Sequence, residues 1–547
     1  MSRSESLADH VRFLAKTRPL DVAYYSGERI LDWAGYDAAA DRLARVLLAL
    51  DLSPGAHIGV WLPDGAAVHI AFQACERAGF VCVGLGARSG ERELAHLLGL
   101  AQSHVLISSE FVGSTDTHER VASLRSQGLD LRHHIVLSGE AFATDPINVD
   151  GEPATLAEPS ALEGRSLRPD EVFLLNSTSG TTGLPKLVIH DQDRWMAFHE
   201  YAVDVGRLTD QDVIMGAVPA PFGFGLWTSH ITPTLLGVPT VVMSRFDAAD
   251  AIKLLERHRV TMLAAVSTQF IMMLETDLFR GKGNGPGLAL RVLFTGGEAV
   301  PKKRAYRFEK ETGASVLQFY GSNETGAVSA TRSDDPPDKR HGTAGRPLPD
   351  MNLRLFDAQG NDVTKSGTGQ PAVKGPALSR GYFGAPEANA ELIRDDGWFL
   401  LGDLVEIDTD GYLRVIGRTD DIIIRGGKNL SAAAIEETVT SHPEIVLAAA
   451  IGIPDAIFGE KAAVYVKLRG RETIELDELL THLESVGVAR ELWPEAIVVM
   501  DDLPQNAGGK VAKKVLRDDA AARFRLPEEN AEGKNDEARS LAARQLS

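Results

Sequence analysis

The sequence predicts an α/β protein: a large N-terminal domain of α/β-layered sheets followed by a smaller α+β C-terminal domain. Three observations predict it. At 547 residues the chain exceeds the roughly 250 to 300 residues at which a single hydrophobic core stops growing. Helix and strand patterns alternate through its first three quarters. The pattern then breaks at a charged and glycine-rich stretch between Gly417 and Asn429. The hydrophobic fraction of 44% and charged fraction of 24% are those of an ordinary globular protein.

Leu31 to Ala49 reads as an amphipathic helix, His57 to Leu62 as a buried strand, Ala66 to Ala78 as a helix and Val81 to Leu85 as a strand. Strands alternating with helices imply βαβ units and a parallel sheet covered on both faces. Val172 to Leu175 is strand-like, and the same grammar returns at Thr240–Met243, Ala249–His258, Met262–Val266 and Leu290–Thr295. The α/β core is expected to run to about Ile416. A fresh helix begins at Ala432, apolar runs from Ile445 to Val466 are broken by Pro454 and Gly459, and a helix follows near Asp477 to Val486. The expected division is 1–419, 420–525 and a polar tail, 526–547, that is either a frayed helix or disordered.

A formal net charge of −19 excludes a sequence-independent grip on nucleic acid or anionic lipid, since both require basic surface. Two cysteines, Cys75 and Cys82, are too few for a disulfide framework or thiolate metal site. Met1 to Asp21 lacks a signal-peptide pattern, and no apolar run is long enough to span a membrane. A soluble cytoplasmic protein is expected.

The most informative segment is Ser177-Thr178-Ser179-Gly180-Thr181-Thr182-Gly183-Leu184-Pro185-Lys186. Glycines let successive backbone N–H groups face one concavity, hydroxyls add donors and the ammonium adds a point charge, so the segment suits a polyphosphate. Its spacing is not that of a Walker loop. The bland reading is a Ser/Thr-rich surface loop. The run Gly281–Gly287 follows Phe279-Arg280 rather than a strand and reads as a connection, and His190 reads as a strand-end residue.

The segment resembles the phosphate loop of the adenylate-forming superfamily: acyl- and aryl-CoA synthetases, peptide-synthetase adenylation domains and luciferases. Four more segments resemble that family in its order. Phe319-Tyr320-Gly321-Ser322-Asn323-Glu324 is similar to Tyr-Gly-x-Thr-Glu, with Asn323 in place of the threonine; Gly402-Asp403, Gly417-Arg418-Thr419-Asp420 and Pro504-Gln505-Asn506-Ala507-Gly508-Gly509-Lys510 follow. The resemblance implies that Thr178, Ser179, Gly180, Thr181, Thr182, Gly183 and Lys186 hold the phosphates, and Thr182 also aids catalysis. Tyr320 stacks on adenine, and Gly297, Glu298 and Asn323 also border the nucleotide. Asp403 and Arg418 contact ribose, Glu324 binds magnesium, and Lys510 contacts the carboxylate and α-phosphate. It further implies a mobile C-terminal domain hinged at Asp420, presenting Gly426, Gly427 and Lys428 to a pantetheine thiol. Ala432 and Ala434 depart from the family's proline and glutamate there.

The activity so implied joins a carboxylic acid to a thiol through an acyl-adenylate, with ATP, magnesium and coenzyme A as the expected cofactors and co-substrates. A family histidine is replaced by Phe222, in Pro219-Ala220-Pro221-Phe222-Gly223-Phe224-Gly225, and no aspartate lies between Val213 and Trp227 to pair an α-amino group. An apolar gate with Gly223 and Ser322 beside it, and room left by Gly296, Gly297 and Gly321, points to a bulky apolar, aryl or alicyclic acid. Leu187 after Pro-Lys tilts the same way. A carrier protein replaces coenzyme A in one alternative, a non-catalytic acyl-nucleotide sensor is a second and luciferase-like oxidation a third. Nucleic acid and membrane are not expected partners, and a homodimer is left open.

Overall fold

A computed structural model of the chain describes residues 5–137, 144–178, 185–280, 287–298, 300–418, 421–425, 428–455, 457–506 and 509–524. The expected elements form close to their predicted bounds. The first long helix, Trp33–Leu48, is capped by Asp32, whose carboxylate accepts the Gly35 N–H at 2.7 Å, which supplies a partner for one of the free donors of a first turn. The helix Ala66–Ala78 is buried along nearly all its length, as a helix between two layers must be. It ends at Gly79 with φ of 76°. An added Cβ there would lie 2.8 Å from the Arg165 carbonyl oxygen, so both the left-handed turn and the close approach call for glycine.

Among the described residues, two large sheets carry the α/β core. The first runs in spatial order Glu152–Pro153, Ile147–Val149, His133–Leu137, Val105–Ser109, His57–Trp61, Val81–Leu85, Val172–Ser177 and Leu187–Asp191. The second runs Arg346–Pro347, Gly326–Ala330, Ser315–Ser322, Val292–Gly296, Met262–Ala264, Ile214–Gly216, Thr240–Val242, Val22–Ser26 and Arg29–Asp32. In both, the inner strands pair in parallel and the outermost pairings are antiparallel. The centres of parallel sheets are covered on both faces, which is why His57–Trp61 and Val81–Leu85 read as continuous apolar runs.

A third sheet joins Asn352–Phe356, Thr368–Lys374, Asp403–Ile407 and Leu413–Arg418, with Phe399–Leu400 beside Thr368–Lys374. From Ile422 onward the strands belong to another sheet: Lys428–Ser431, Ile422–Arg425, Gly459–Leu468 and Ile445–Asp455, with Ala496–Val499 alongside. Its helix Ala432–Val439 starts at the Ser431 cap, whose hydroxyl accepts the Ala434 N–H at 3.2 Å. The predicted apolar stretch Ile445 to Val466 thus divides into two antiparallel strands.

This C-terminal unit is docked on the large one. Arg469 reaches Glu275 at 2.8 Å, where Arg304 also binds at 2.6 Å, and the Thr268 hydroxyl donates to the Gly509 carbonyl at 2.9 Å. No helix among the described residues is long and apolar enough to cross a membrane. Cys75 and Cys82 are buried free thiols.

The core beneath the second sheet is aromatic. Phe294 stacks on Phe319 at 4.9 Å between ring centroids, Trp227 stands edge-on to Phe294 at 5.3 Å, and Phe198 stacks on Trp227 at 4.8 Å. Gly206 admits this cluster, because a Cβ there would meet the Phe294 ring at 2.6 Å. Phe294→Ala should therefore cost about 3–5 kcal/mol of unfolding free energy. Denaturant titration checks it, and a loss below ~1 kcal/mol would show that the cluster refills the cavity.

Candidate active site

Strand ends make the site. Val292–Gly296, Ser315–Ser322 and Val172–Ser177 terminate in Gly296, Ser322 and Ser177, and ligands of open α/β sheets bind beyond the carboxyl ends of parallel strands. Gly297 follows with φ of 78°, and Glu298 turns back so that its carboxylate accepts the Thr268 N–H at 3.0 Å. Onto this turn comes Lys510 from the C-terminal loop, its ammonium donating to the Gly297 carbonyl at 2.8 Å. A Cβ on Gly297 would lie 2.4 Å from Lys510 Nζ, so glycine leaves the lysine its place.

The loop that carries Lys510 is closed by Asn506. Its carbonyl accepts from Gly509 at 3.0 Å, its N–H donates to the Lys510 carbonyl at 2.8 Å, and its side chain accepts the Lys510 N–H at 3.1 Å. Burial lowers the Lys510 ammonium below the usual lysine range, opposed by Glu298, while Arg418 lowers it further and Asp403 and Glu324 raise it. Burial likewise raises the Glu298 carboxyl, with Lys510 pulling the other way. The lysine therefore sits within electrostatic reach of three predicted carboxylates.

Asp403 and Arg418 face each other because antiparallel pairing sets them in register; Arg418 Nε lies 3.8 Å from Asp403 Oδ1. The other carboxylate oxygen accepts the Tyr320 hydroxyl at 2.8 Å. Burial pushes the Tyr320 hydroxyl well up, and Asp403 adds to it, so the phenol stays protonated and donates. Burial also raises Asp403, against the hydrogen bond from Tyr320 and the charges of Arg418 and Lys510.

Glu324 sits after a tight turn in which the Ser322 hydroxyl accepts the N–H groups of Glu324 and Thr325, both at 3.2 Å. Its carboxylate accepts the Tyr382 hydroxyl at 2.7 Å. Lys186 places its ammonium 5.0 Å from the centre of the Tyr382 ring, within cation–π range. The Thr178 N–H donates to the Lys186 carbonyl at 3.0 Å, closing the mouth of the predicted phosphate loop. Ser179, Gly180, Thr181, Thr182 and Gly183 lie outside the described residues, as do Asp420, Gly426 and Gly427 and the side chain of Lys428.

Two expectations about pocket room meet a different geometry. A Cβ on Gly296 would stand 2.2 Å from the Phe319 carbonyl oxygen, and one on Gly321 would stand 1.8 Å from that of Gly326. Glycine is required at both by neighbouring backbone, so neither measures space left for an acid. Phe222, Gly223 and Phe224 are part-exposed, at the start of the short helix Gly223–Leu226, and the preceding Ala220–Pro221 bond is cis.

Sequence reasoning missed Tyr382, whose signal was an aromatic residue between Gly381 and Gly384 in a loop. It also missed Asn176 and Arg194 and set His190 aside as a strand-end residue. His190 lies in the strand Leu187–Asp191 and is fully buried. Its Nε2 is 2.7 Å from Asn176 Oδ1 and its Nδ1 is 2.8 Å from Arg194 Nη1. Among the described residues no three His, Cys, Asp or Glu side chains form a metal cage. The lone Glu324 carboxylate fits a magnesium ion that arrives on phosphates, because such an ion keeps several waters and takes only one or two protein carboxylates.

Residues 12–383 match the model of the family described as AMP-binding enzyme, and residues 434–510 match that of the AMP-binding enzyme C-terminal domain. The chain is 30% identical over 526 residues to the medium-chain fatty-acid–CoA ligase of Escherichia coli, covering 95% of this chain and 91% of that one. It is 31% identical over 513 residues to the salicyl-AMP ligase/salicyl-S-ArCP synthetase of Mycobacterium tuberculosis, covering 91% and 86%. The crystal structure of ATP-bound MatB from Rhodopseudomonas palustris superimposes with a TM-score of 0.78 at 26% identity, covering 95% of this chain and 100% of that one. With residues 12–383 and 434–510 matched by these two models, this chain belongs to the AMP-binding enzyme family.

Proposed function

We propose that this chain is an AMP-forming acid–thiol ligase that converts a carboxylic acid to its acyl-adenylate with ATP and then to a thioester, with coenzyme A as the thiol. The observation that carries the reading is the delivery of Lys510 to the Gly297 turn, in reach of Glu298, Asp403 and Glu324. A carboxylate is a poor acyl donor because its leaving group is oxide. In the first step a carboxylate oxygen attacks the α-phosphorus of ATP, the bond to the β-phosphate breaks, and pyrophosphate departs. In the second the thiol, as its proton is lost, attacks the acyl carbonyl and AMP leaves.

An anion approaching a phosphate needs positive charge aimed at the developing charge. Lys510 supplies it at the carboxylate and α-phosphate. Asp403 holds the ribose hydroxyls with Arg418 beside it, Tyr320 stacks on adenine, and Thr178 and Lys186 frame the phosphate loop. Glu324 would hold magnesium, which when bound neutralises phosphate charge. Tyr382, by donating to Glu324, fixes the direction of that carboxylate.

The conformation seen, with Lys510 inserted, suits the first step. The thiol needs the same side of the acyl group, so the unit 420–525 swings about Asp420 and presents Gly426, Gly427 and Lys428 instead. Relatives that bear the names of a fatty-acid–CoA ligase and a salicyl-AMP ligase support a hydrophobic or aromatic acid, and the second keeps a carrier-protein acceptor as the other reading.

Pyrophosphate release from ATP across a panel of fatty, aryl, alicyclic and amino acids, with and without coenzyme A, tests the whole assignment. Release confined to apolar or ring acids and followed by thioester is expected; silence across the panel would remove the ligase reading. Lys510→Ala should lower adenylate formation by roughly 10² to 10³ while sparing thiolation of adenylate supplied ready-made, and equal loss in both steps would remove the division of labour. Asp403→Ala should raise the KM for ATP more than it lowers kcat. Because burial pulls the Lys510 ammonium down, the alkaline limb of kcat/KM for adenylation should fall below the ordinary lysine value of about 10.4, and should move up in Lys510→Arg.

A further inference from the structure

Glu324 stands on a turn whose two flanking peptide groups are bonded at both ends. The Ser322 hydroxyl accepts from the N–H groups of Glu324 and Thr325, both at 3.2 Å. On the other side the Asn323 carbonyl accepts from Arg194 Nη2 at 3.0 Å, and the Glu324 carbonyl accepts from the Ser379 N–H at 2.7 Å, with Arg194 Nη2 at 3.5 Å. The backbone of Glu324 is thereby fixed, and with it the direction in which its side chain leaves the chain.

Arg194 is the charged member of this set and is only 2% exposed. Its guanidinium donates and never accepts, in a rigid planar fork. Nε goes to the Ala377 carbonyl at 2.9 Å and Nη1 to His190 Nδ1 at 2.8 Å. His190 Nδ1 is therefore the acceptor, and Nε2 carries the proton that goes to Asn176 Oδ1 at 2.7 Å. Burial, reinforced by Arg194, keeps that imidazole neutral. The fork thus ends on neutral acceptors, and its charge is felt through space by Asp191 and Glu324.

The bond to Ala377 reaches Glu324 a second way. Ala377 leads into the segment whose Ser379 N–H holds the Glu324 carbonyl and whose Tyr382 hydroxyl donates to the Glu324 carboxylate at 2.7 Å. Gly326, with φ of 63°, lets the turn close on this contact, since a Cβ there would stand 2.7 Å from the Ala377 carbonyl oxygen and 3.4 Å from Arg194 Nη2. One guanidinium therefore joins the turn that bears the carboxylate to the segment that holds its tip.

We infer that Arg194 is a positioning residue for Glu324: its fork holds the Asn323–Glu324 turn against the Ala377–Tyr382 segment and so sets how tightly the Glu324 carboxylate takes the divalent cation that arrives on the triphosphate. The inference rests on the assignment of Glu324 to magnesium. A lone protein carboxylate on such an ion has no neighbouring ligand to correct its aim, so its orientation has to be built in behind it.

The test measures binding of Mn2+, which shares the octahedral oxygen preference of Mg2+, to the full chain loaded with α,β-methylene-ATP, read from the electron paramagnetic resonance signal of the free ion. Arg194→Gln should weaken Mn2+ affinity by about 10-fold, while the affinity for AMP without metal stays unchanged. Arg194→Lys keeps the charge and loses the fork, and should behave as Arg194→Gln does. Gly326→Ala crowds the same contacts without emptying the core, and should weaken Mn2+ as well. In a Glu324→Gln background none of these changes should weaken Mn2+ further, because the ligand they aim is gone. Equal loss of Mn2+ and AMP affinity, further weakening in the Glu324→Gln background, full affinity in Arg194→Lys, or Mn2+ affinity unchanged in both Arg194→Gln and Gly326→Ala overturns the inference. Full Mn2+ affinity in Glu324→Gln alone overturns the magnesium assignment itself, a result distinct from one in which Glu324→Gln weakens the ion and the Arg194 variants do not.

Discussion

The active site depends on one cation being carried a long way. Lys510 lies 213 positions from the Gly297 carbonyl on which it rests, and it belongs to a unit whose sheet is separate from the two that build the site floor. A buried ammonium is held only where charges and acceptors repay its lost hydration. Glu298, Asp403 and Glu324 offset part of that loss, and burial together with Arg418 still leaves the ammonium below the usual lysine range.

That dependence explains the docking contacts. Arg469 on Glu275 and Thr268 on Gly509 dock the C-terminal unit, together with apolar side chains such as Leu447, Ile451 and Leu503 that share one core cluster with Leu263 and Phe270 of the large unit. Near the junction, Asp421 accepts from Arg517 and lies 3.7 Å from Lys513, which also binds Glu436 at 2.7 Å. These bonds stay inside the C-terminal unit, so they stiffen it as a body without tying it to the large one.

Much of this was legible in the sequence, and the reason is local. The helix Ala66–Ala78 and the strand Val81–Leu85 emerge as read, because period and turn chemistry are encoded within a few residues. Asp403 and Arg418 could be named from short motifs, and strand register then set them opposite each other. The glycines were harder. Gly296 and Gly321 signal close approach, but sequence does not say of what; the answer is neighbouring backbone at Phe319 and Gly326 rather than an open pocket. Tyr382 was hidden for a similar reason, since its partner Glu324 lies 58 positions away.

The buried chain under the site shows why a departure from a family pattern is informative only with its partners in view. Asn323 taken alone is a substitution for threonine. In place, its side chain meets an asparagine 147 positions earlier, whose own orientation is dictated by a histidine and, behind that, an arginine that cannot accept. An uncompensated polar group at this depth costs about 1–3 kcal/mol, so each member constrains the next. The same carboxamide of Asn176 donates to the carbonyl of Pro221, one residue before Phe222. The turn that leads to Glu324, through Asn323, the strand Val172–Ser177 and the Pro221 carbonyl are thereby joined at one side chain.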